Sequence, residues 1–285
     1  MPCPKKSNIL SISNEYSSCI HRLAALSKEI WAFHTVIEIA NLEQIVEISF
    51  QKKIQLSGKY VLGDFVHCYK GMQPYEEGKG DPPQTREMMN KKIYHSEVKM
   101  DDSYFPLIGS GNVQHYFLRK PKGFIKYGKN LAAPRKFEIF NGPRLLANRI
   151  LSRNNIDIVY LDELLINNTD VFNLLPKTEH YDKLLALLAI LGSSMCATYF
   201  KSSNINLDRK AFPKLNVNNL ETFPIPEISN EIKEILKNKV TQILTAKKSD
   251  ITVDTTPQEK EIDYLVYELY GLTGEEIKII EGDNE

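Results

Sequence analysis

The chain has 285 residues, enough for one large or two small domains with a real core. It is 42% hydrophobic and 25% charged with zero net charge, an ordinary balance that excludes a collagen-like, disordered or membrane-dominated chain. The longest apolar run, Leu184 to Leu191, is far short of the ~18 residues a membrane span needs, and the N-terminus lacks an apolar leader after Lys5 and Lys6. The four cysteines (Cys3, Cys19, Cys68, Cys196) are scattered with no CxxC spacing, which argues against a structural zinc site or a disulfide framework. A reducing cytoplasm is the expected location, with no membrane partner.

In chain order, residues 15–40 read as a helix, because Tyr16, Ile20, Leu23, Ala24, Ser27, Ile30 and Trp31 recur at three- and four-residue steps. Lys59 to Tyr69 is rich in Val, Phe and Tyr and reads as a strand region punctuated by Gly63. Gly71 to Thr85 holds three glycines and three prolines without apolar periodicity, so it is a loop. A loop of that length is usually functional or disordered. His115–Leu118, Gly123–Tyr127, Lys136–Phe140 and Ile156–Leu161 read as short strands between Gly and Pro turns, so the middle is β-rich.

Tyr181 to Phe200 is apolar most of the way round and predicts one buried core helix. Phe223-Pro224-Ile225-Pro226 cannot be helical. Three helices follow. Asn230–Ala246 carries an apolar stripe, which either packs the module together or docks it on a partner. Thr256-Pro257-Gln258-Glu259 reads as a start with Thr256 as N-cap, and Gly271 reads as a left-handed stop. Thr273-Gly274-Glu275-Glu276 repeats the capping-box pattern. The expected fold is α+β: a β-rich part packed with a core helix and a C-terminal helical segment. The expected boundaries are 1–50 for a helical lead-in, 51–228 for the main domain and 229–285 for the helical segment.

Charge is unevenly placed. Arg119 to Arg153 contains ten Lys or Arg and one acid, Glu138, whereas Asp254 to Glu285 contains ten acids and two bases. Such asymmetry points to a surface for a polyanion, with a solvated run of scattered charges as the alternative.

Apparent catalytic motifs are incomplete. Asp81-Pro82-Pro83-Gln84 resembles the tetrapeptide of amino-group DNA methyltransferases, but Gln replaces the stacking aromatic. The glycine-rich stretch Leu107–Asn112 lies too close to it to serve as a cofactor loop. Asp81, Glu97 and Lys99 fit the loose spacing of metal-dependent nucleases, an alternative reading. The same Glu-x-Lys spacing recurs at Glu231-Ile232-Lys233 and Glu276-Ile277-Lys278 on expected helix surfaces. The six histidines do not cluster in sequence.

Several pieces in order carry a resemblance. They are Gly71-Met72-Gln73-Pro74-Tyr75 with GKGDPPQT, then Tyr104–Gly111, then FIKYGKNLAAPRKFEIFNGPRLLANRI. LLALLAILGSSMCATYF follows, then Ala211–Leu215, Leu220–Pro226 and the terminal IDYLVYELYGLTGEEIKIIEG. Together, over residues 51–281, they resemble the TaqI-like C-terminal specificity domain. This is the target recognition domain of type IIG restriction-modification enzymes and related N6-adenine DNA methyltransferases. One departure is Gly192, where the family's core helix carries Asn.

The resemblance implies a module that recognises double-stranded DNA by sequence and has no catalytic residues of its own. A methyltransferase or endonuclease module would be its partner, and S-adenosylmethionine and magnesium would belong to that catalytic part, not to this chain. A protein-interaction scaffold is the rival without DNA. The physical needs of DNA recognition nominate Lys126, Lys129, Arg135 and Lys136 for phosphates, and Gln73, Gln84, Arg119 and Asn130 for base edges. Lys79, Tyr75 and Tyr127 complete the expected contact set. Tyr75, Tyr127 and the further aromatic Tyr116 either pack on sugars or fill the sheet, and Arg144 and Arg149 are expected in a helix.

Overall fold

A computed structural model describes residues 47–152, 155–203 and 214–282. The chain divides into two compact units, Met1–Ser49 and Phe50–Glu285. Of the first, the described residues 47–49 are helical. The helix expected over 15–40 lies outside the described residues, as do Cys3, Cys19, His21, His34, Arg153 and the 211–213 piece.

The second unit has α+β architecture, with two four-stranded sheets and a helical layer. Its first elements are α1 (residues 50–57), β1 (Tyr60–Val61), α2 (Leu62–Phe65) and β2 (Val66–Lys70). The Lys59–Tyr69 region is thus interrupted by a helical turn, because Leu62 and Phe65 both turn into the core. The middle holds α3 (Arg86–Lys91), β3 (His95–Ser96), β4 (Tyr104–Ile108), β5 (Val113–Gln114), β6 (Phe117–Leu118), β7 (Gly123–Lys126), β8 (Pro143–Asn148), β9 (Ile158–Asp162), β10 (Ile166–Asn167) and β11 (Val171–Pro176). The rest is α4 (Leu184–Gly192), α5 (Ser194–Ser202), α6 (Val217–Glu221), β12 (Pro224–Ile225), α7 (Asn230–Ser249), α8 (Thr256–Leu269) and α9 (Gly274–Glu281).

The main sheet has the order β2-β11-β8-β9 and is antiparallel throughout. The period-2 geometry of its strands sorts residues to two buried faces. Leu145, Ala147, Ile158, Phe172 and Leu174 point to the helices, while Leu146, Val159, Leu161 and Val171 form a second cluster with Ile108 and Val113. Burial on both faces explains why Leu145, Leu146 and Ala147 are apolar in succession rather than alternating. The second sheet has the order β10-β4-β7-β3 and its own core around Ile125, Ile166, Phe140 and Leu131. Residues 137–140 form a 3-10 turn instead of the expected strand, which puts Ile139 and Phe140 side by side in that core.

The long apolar segment is two helices, not one. The helical stretch Thr178–Gly192, which ends with α4, meets α5 at 61° across Ser193. Ser193 is extended; its hydroxyl donates to Ile190 O at 2.7 Å and accepts from Cys196 N at 3.3 Å, so it stops one helix and caps the next. Gly192 precedes the break, and a Cβ there would lie 2.8 Å from the Tyr116 hydroxyl. A side chain at this position would have to displace this buried tyrosine. Among the described residues no single helix is long and apolar enough to cross a membrane.

α7 buries Leu236, Val240 and Ile243, and none of the exposed large hydrophobic residues described lies on it. Its stripe therefore packs the module together. α8 starts one residue earlier than expected, with Thr255 at the N-cap and its hydroxyl on Glu259 Oε1 at 2.5 Å. The box at Thr273 and Glu276 is present, and Glu276 also holds Lys53 at 2.7 Å.

Asp263 on α8 sits against the start of α5, accepting from Ser194 N and Ser194 Oγ, both at 2.8 Å. Burial pushes its carboxyl up to about 6, with Glu259 and Glu281 adding repulsion. A carboxyl raised by folding favours the folded state while protonated; that contribution is complete below about pH 4 and is lost as pH rises through 6. Asn at this position keeps the bond from Ser194 N and can donate from Nδ2 to Ser194 Oγ, without the charge. Asp263→Asn should therefore gain about 2–3 kcal/mol on the parent between pH 4 and 7. Urea unfolding across that range checks this; a pH-independent difference between the two proteins would refute it.

Candidate functional site

Two loops on the second sheet form a single platform. The 71–85 loop pairs with the 128–136 segment through Gln73 N to Ala133 O (2.9 Å), Ala133 N to Gln73 O (3.0 Å) and Asp81 N to Lys129 O (2.8 Å). Gly80 has φ 85°, and a Cβ there would lie 2.5 Å from Asn130 O, so the approach requires glycine. Gln84 staples the two loops. Its Nε2 donates to Pro74 O (2.9 Å) and Asn130 O (2.7 Å), and its Oε1 accepts from Glu76 N (2.9 Å).

This corrects the expectation for Gln84. It is 2% exposed, and its amide is occupied within the loops instead of facing a base edge. Gln73 is half-buried, with Nε2 on Glu76 Oε2 at 3.0 Å. Asn130 is half-buried and donates to Lys126 O at 3.0 Å, closing its own turn. Arg119 is exposed and has no ion-pair partner among the described residues.

The aromatics work inward. Tyr75 stacks on Tyr94 and His95, accepts from Tyr94 N at 2.9 Å, and pairs with His95 Nδ1 at 3.0 Å. Burial pushes the Tyr75 phenol up and the His95 imidazole down, so the pair is neutral at pH 7. Tyr127 packs edge-on against Phe105, Phe137 and Phe140 and donates to Arg135 O at 2.9 Å. Tyr116 is 2% exposed and fills the main core, which excludes it from any sugar contact.

The cations behave differently. Lys79, Arg119, Lys120, Lys122, Lys126, Lys129, Arg135 and Lys136 are all exposed. None of them is in an ion pair with a described residue. Arg135 has φ 70° and its Nε donates to Gly71 O at 3.3 Å, which ties its base to the platform. In the helical half, by contrast, Lys53, Lys233 and Lys239 pair with Glu276, Asp182 and Glu261. The charge asymmetry of the sequence thus becomes a surface of unpaired cations on one part and neutralised pairs on another.

Arg144 and Arg149 are not helical and not surface groups in ion pairs. Arg144 lies in β8, fully buried, and Arg149 follows that strand with its Nε on Leu215 O at 3.3 Å. The nuclease alternative gains nothing: Lys99 pairs with Asp102 at 2.9 Å, and among the described residues no group of three or more His, Cys, Asp or Glu could hold a metal ion.

Lys120 and Lys122, not among the expected contacts, share the exposure and lack of ion pairs of the other cations, and Asn112 bonds the Arg119-Lys120 backbone. The two lysines were legible in the same basic run. The sequence shows Asn112 only as the end of the glycine-rich stretch, because its partners lie seven and eight residues away.

Residues 106–225 match the TaqI-like C-terminal specificity domain family. No curated protein matches the sequence. Among solved structures, the type IIL restriction-modification enzyme MmeI in complex with DNA is similar at TM-score 0.54 and 13% identity, over 79% of this chain and 36% of that one. The type IIG restriction endonuclease BpuSI is similar at TM-score 0.46 and 13% identity, over 80% and 32%. The HsdS subunit from Thermoanaerobacter tengcongensis gives 0.36 and 12%, over 90% and 58%. The likeness to the first is one of fold. The chain spans about a third of the length of the first two.

Proposed function

We propose, from the premise that residues 106–225 form a TaqI-like C-terminal specificity domain, that this chain recognises double-stranded DNA by sequence in a restriction-modification system. Methylation or cleavage would be done by a separate catalytic part, which would also hold S-adenosylmethionine and magnesium. The observation that carries the reading is the set of exposed, unpaired cations from Arg119 to Lys136, mounted on β7 and on loops tied down by hydrogen bonds. Unpaired cations on a stiff platform suit a polyanion, because phosphate contacts set affinity and register. The half-buried amides of Gln73 and Asn130 would need to exchange partners to read a base. Arg119 and Lys79 need not.

The reading is tested by selecting binders from a randomised duplex library at two salt concentrations and sequencing them. One enriched short motif, with binding that weakens as salt rises, is the expected result. Binding without any motif would limit the chain to gripping backbone. No binding at low salt would favour the scaffold reading.

A further inference from the structure

Beside the platform lies an open cleft of about 360 Å³ lined by Arg119, Lys120 and Lys122, with His95, Asn112 and Phe124 among its other walls. The three cations are exposed and have no ion-pair partner among the described residues, yet the backbone of Arg119 and Lys120 is tied down. Asn112 does this. Its Oδ1 accepts from Gly109 N at 3.1 Å, and its Nδ2 donates to Lys120 O at 3.0 Å and Arg119 O at 3.3 Å. Its carbonyl accepts from Arg119 N at 2.8 Å. One side chain therefore ties the Arg119-Lys120 pair to the end of β4. On the other side, β7 runs so close to β3 that a Cβ on Gly123 would lie 2.9 Å from Ser96 O.

We propose that this cleft is a phosphate clamp for the DNA backbone, with Arg119, Lys120 and Lys122 as its cations and Asn112 as the residue that positions the first two. Arg119 then belongs with the gripping residues and not with the base readers. The proposal rests on the DNA reading above. Free phosphate offers the same chemistry, but three cations around an open cleft also suit successive phosphates of a strand. Fixing the cations' backbone beforehand lowers the ordering cost of binding.

The test uses the full chain and two duplexes, one with the selected motif and one without, across a salt series. Lys120→Gln/Lys122→Gln should lose roughly tenfold in affinity per lysine at 0.1 M salt, equally for both duplexes, and the salt slope should fall by about 1.8. The motif selected from the library should not change. Asn112→Ala, its folding checked by thermal unfolding, should weaken both duplexes several-fold.

If the parent binds and the double variant keeps its affinity and slope, the clamp is wrong and the DNA reading stands. If the parent binds no duplex, both fall. Saturable binding of inorganic phosphate that the double variant abolishes, without loss of duplex affinity, would assign the cleft to a free anion and overturn the clamp.

Discussion

Arg144→Met should cost this protein about 3–5 kcal/mol of stability, a large share of the ~5–15 kcal/mol that holds a typical domain. Arg144 is fully buried on the face of the main sheet that looks toward the second sheet. Its guanidinium donates to Gly142 O and Glu163 O (both 2.9 Å), Leu165 O (3.1 Å) and Asn173 Oδ1 (3.2 Å). Those acceptors precede β8, join β9 to β10, and sit on β11, so one side chain clasps the two sheets together. Burial lowers its pKa to about 10, still well above neutral, so the charge persists.

Replacing it with methionine fills most of the volume but leaves several buried acceptors unbonded, each worth about 1–3 kcal/mol. Relief of the buried charge offsets only part of this. Arg144→Lys should recover little, because an ammonium cannot span the same planar fork. Urea midpoints at constant m-value measure the loss; a cost below about 1 kcal/mol would show that the clasp is dispensable.

The second large effect is on binding and should leave stability untouched. Lys126, Lys129 and Lys136 are exposed and unpaired among the described residues. Surface changes of this kind usually alter stability by less than about 0.5 kcal/mol each. If each lysine meets a phosphate, the triple glutamine variant lowers the salt slope by about 2.7 and duplex affinity by two to three orders of magnitude at 0.1 M salt. Anisotropy titrations over a salt series, with thermal unfolding alongside, separate the two quantities. An unchanged salt slope would remove these lysines from the interface.

Local chemistry was legible in the sequence. The Thr273 box, the left-handed stop at Gly271 (φ 65°) and the apolar stripe of α7 all depend on neighbours within a turn or two. The basic run from Arg119 to Lys136 is likewise visible as composition. The break at Ser193 carried only a weak signal, since an apolar segment pays no visible penalty for bending. What bends it is a hydroxyl bonded both ways and a glycine that makes room for Tyr116, which comes from the β5–β6 hairpin far earlier in the chain.

The candidate site divides in the same way. Which residues are cationic follows from the chain alone, and so does their excess over acids, because charge belongs to the residue. Which cations stay free does not. Lysines look alike in sequence, but Lys239 meets Glu261 across two helices while Lys120 meets no described carboxylate. The amides show this most clearly. Gln84 has the right chemistry for a base edge, yet the fold closes it between two loops 46 residues apart. Arg144 has the right chemistry for a phosphate, yet it lies between two sheets. Hydrogen-bonding capacity is written residue by residue; whether it is turned toward solvent or satisfied inside depends on partners that only long-range packing brings within 3 Å.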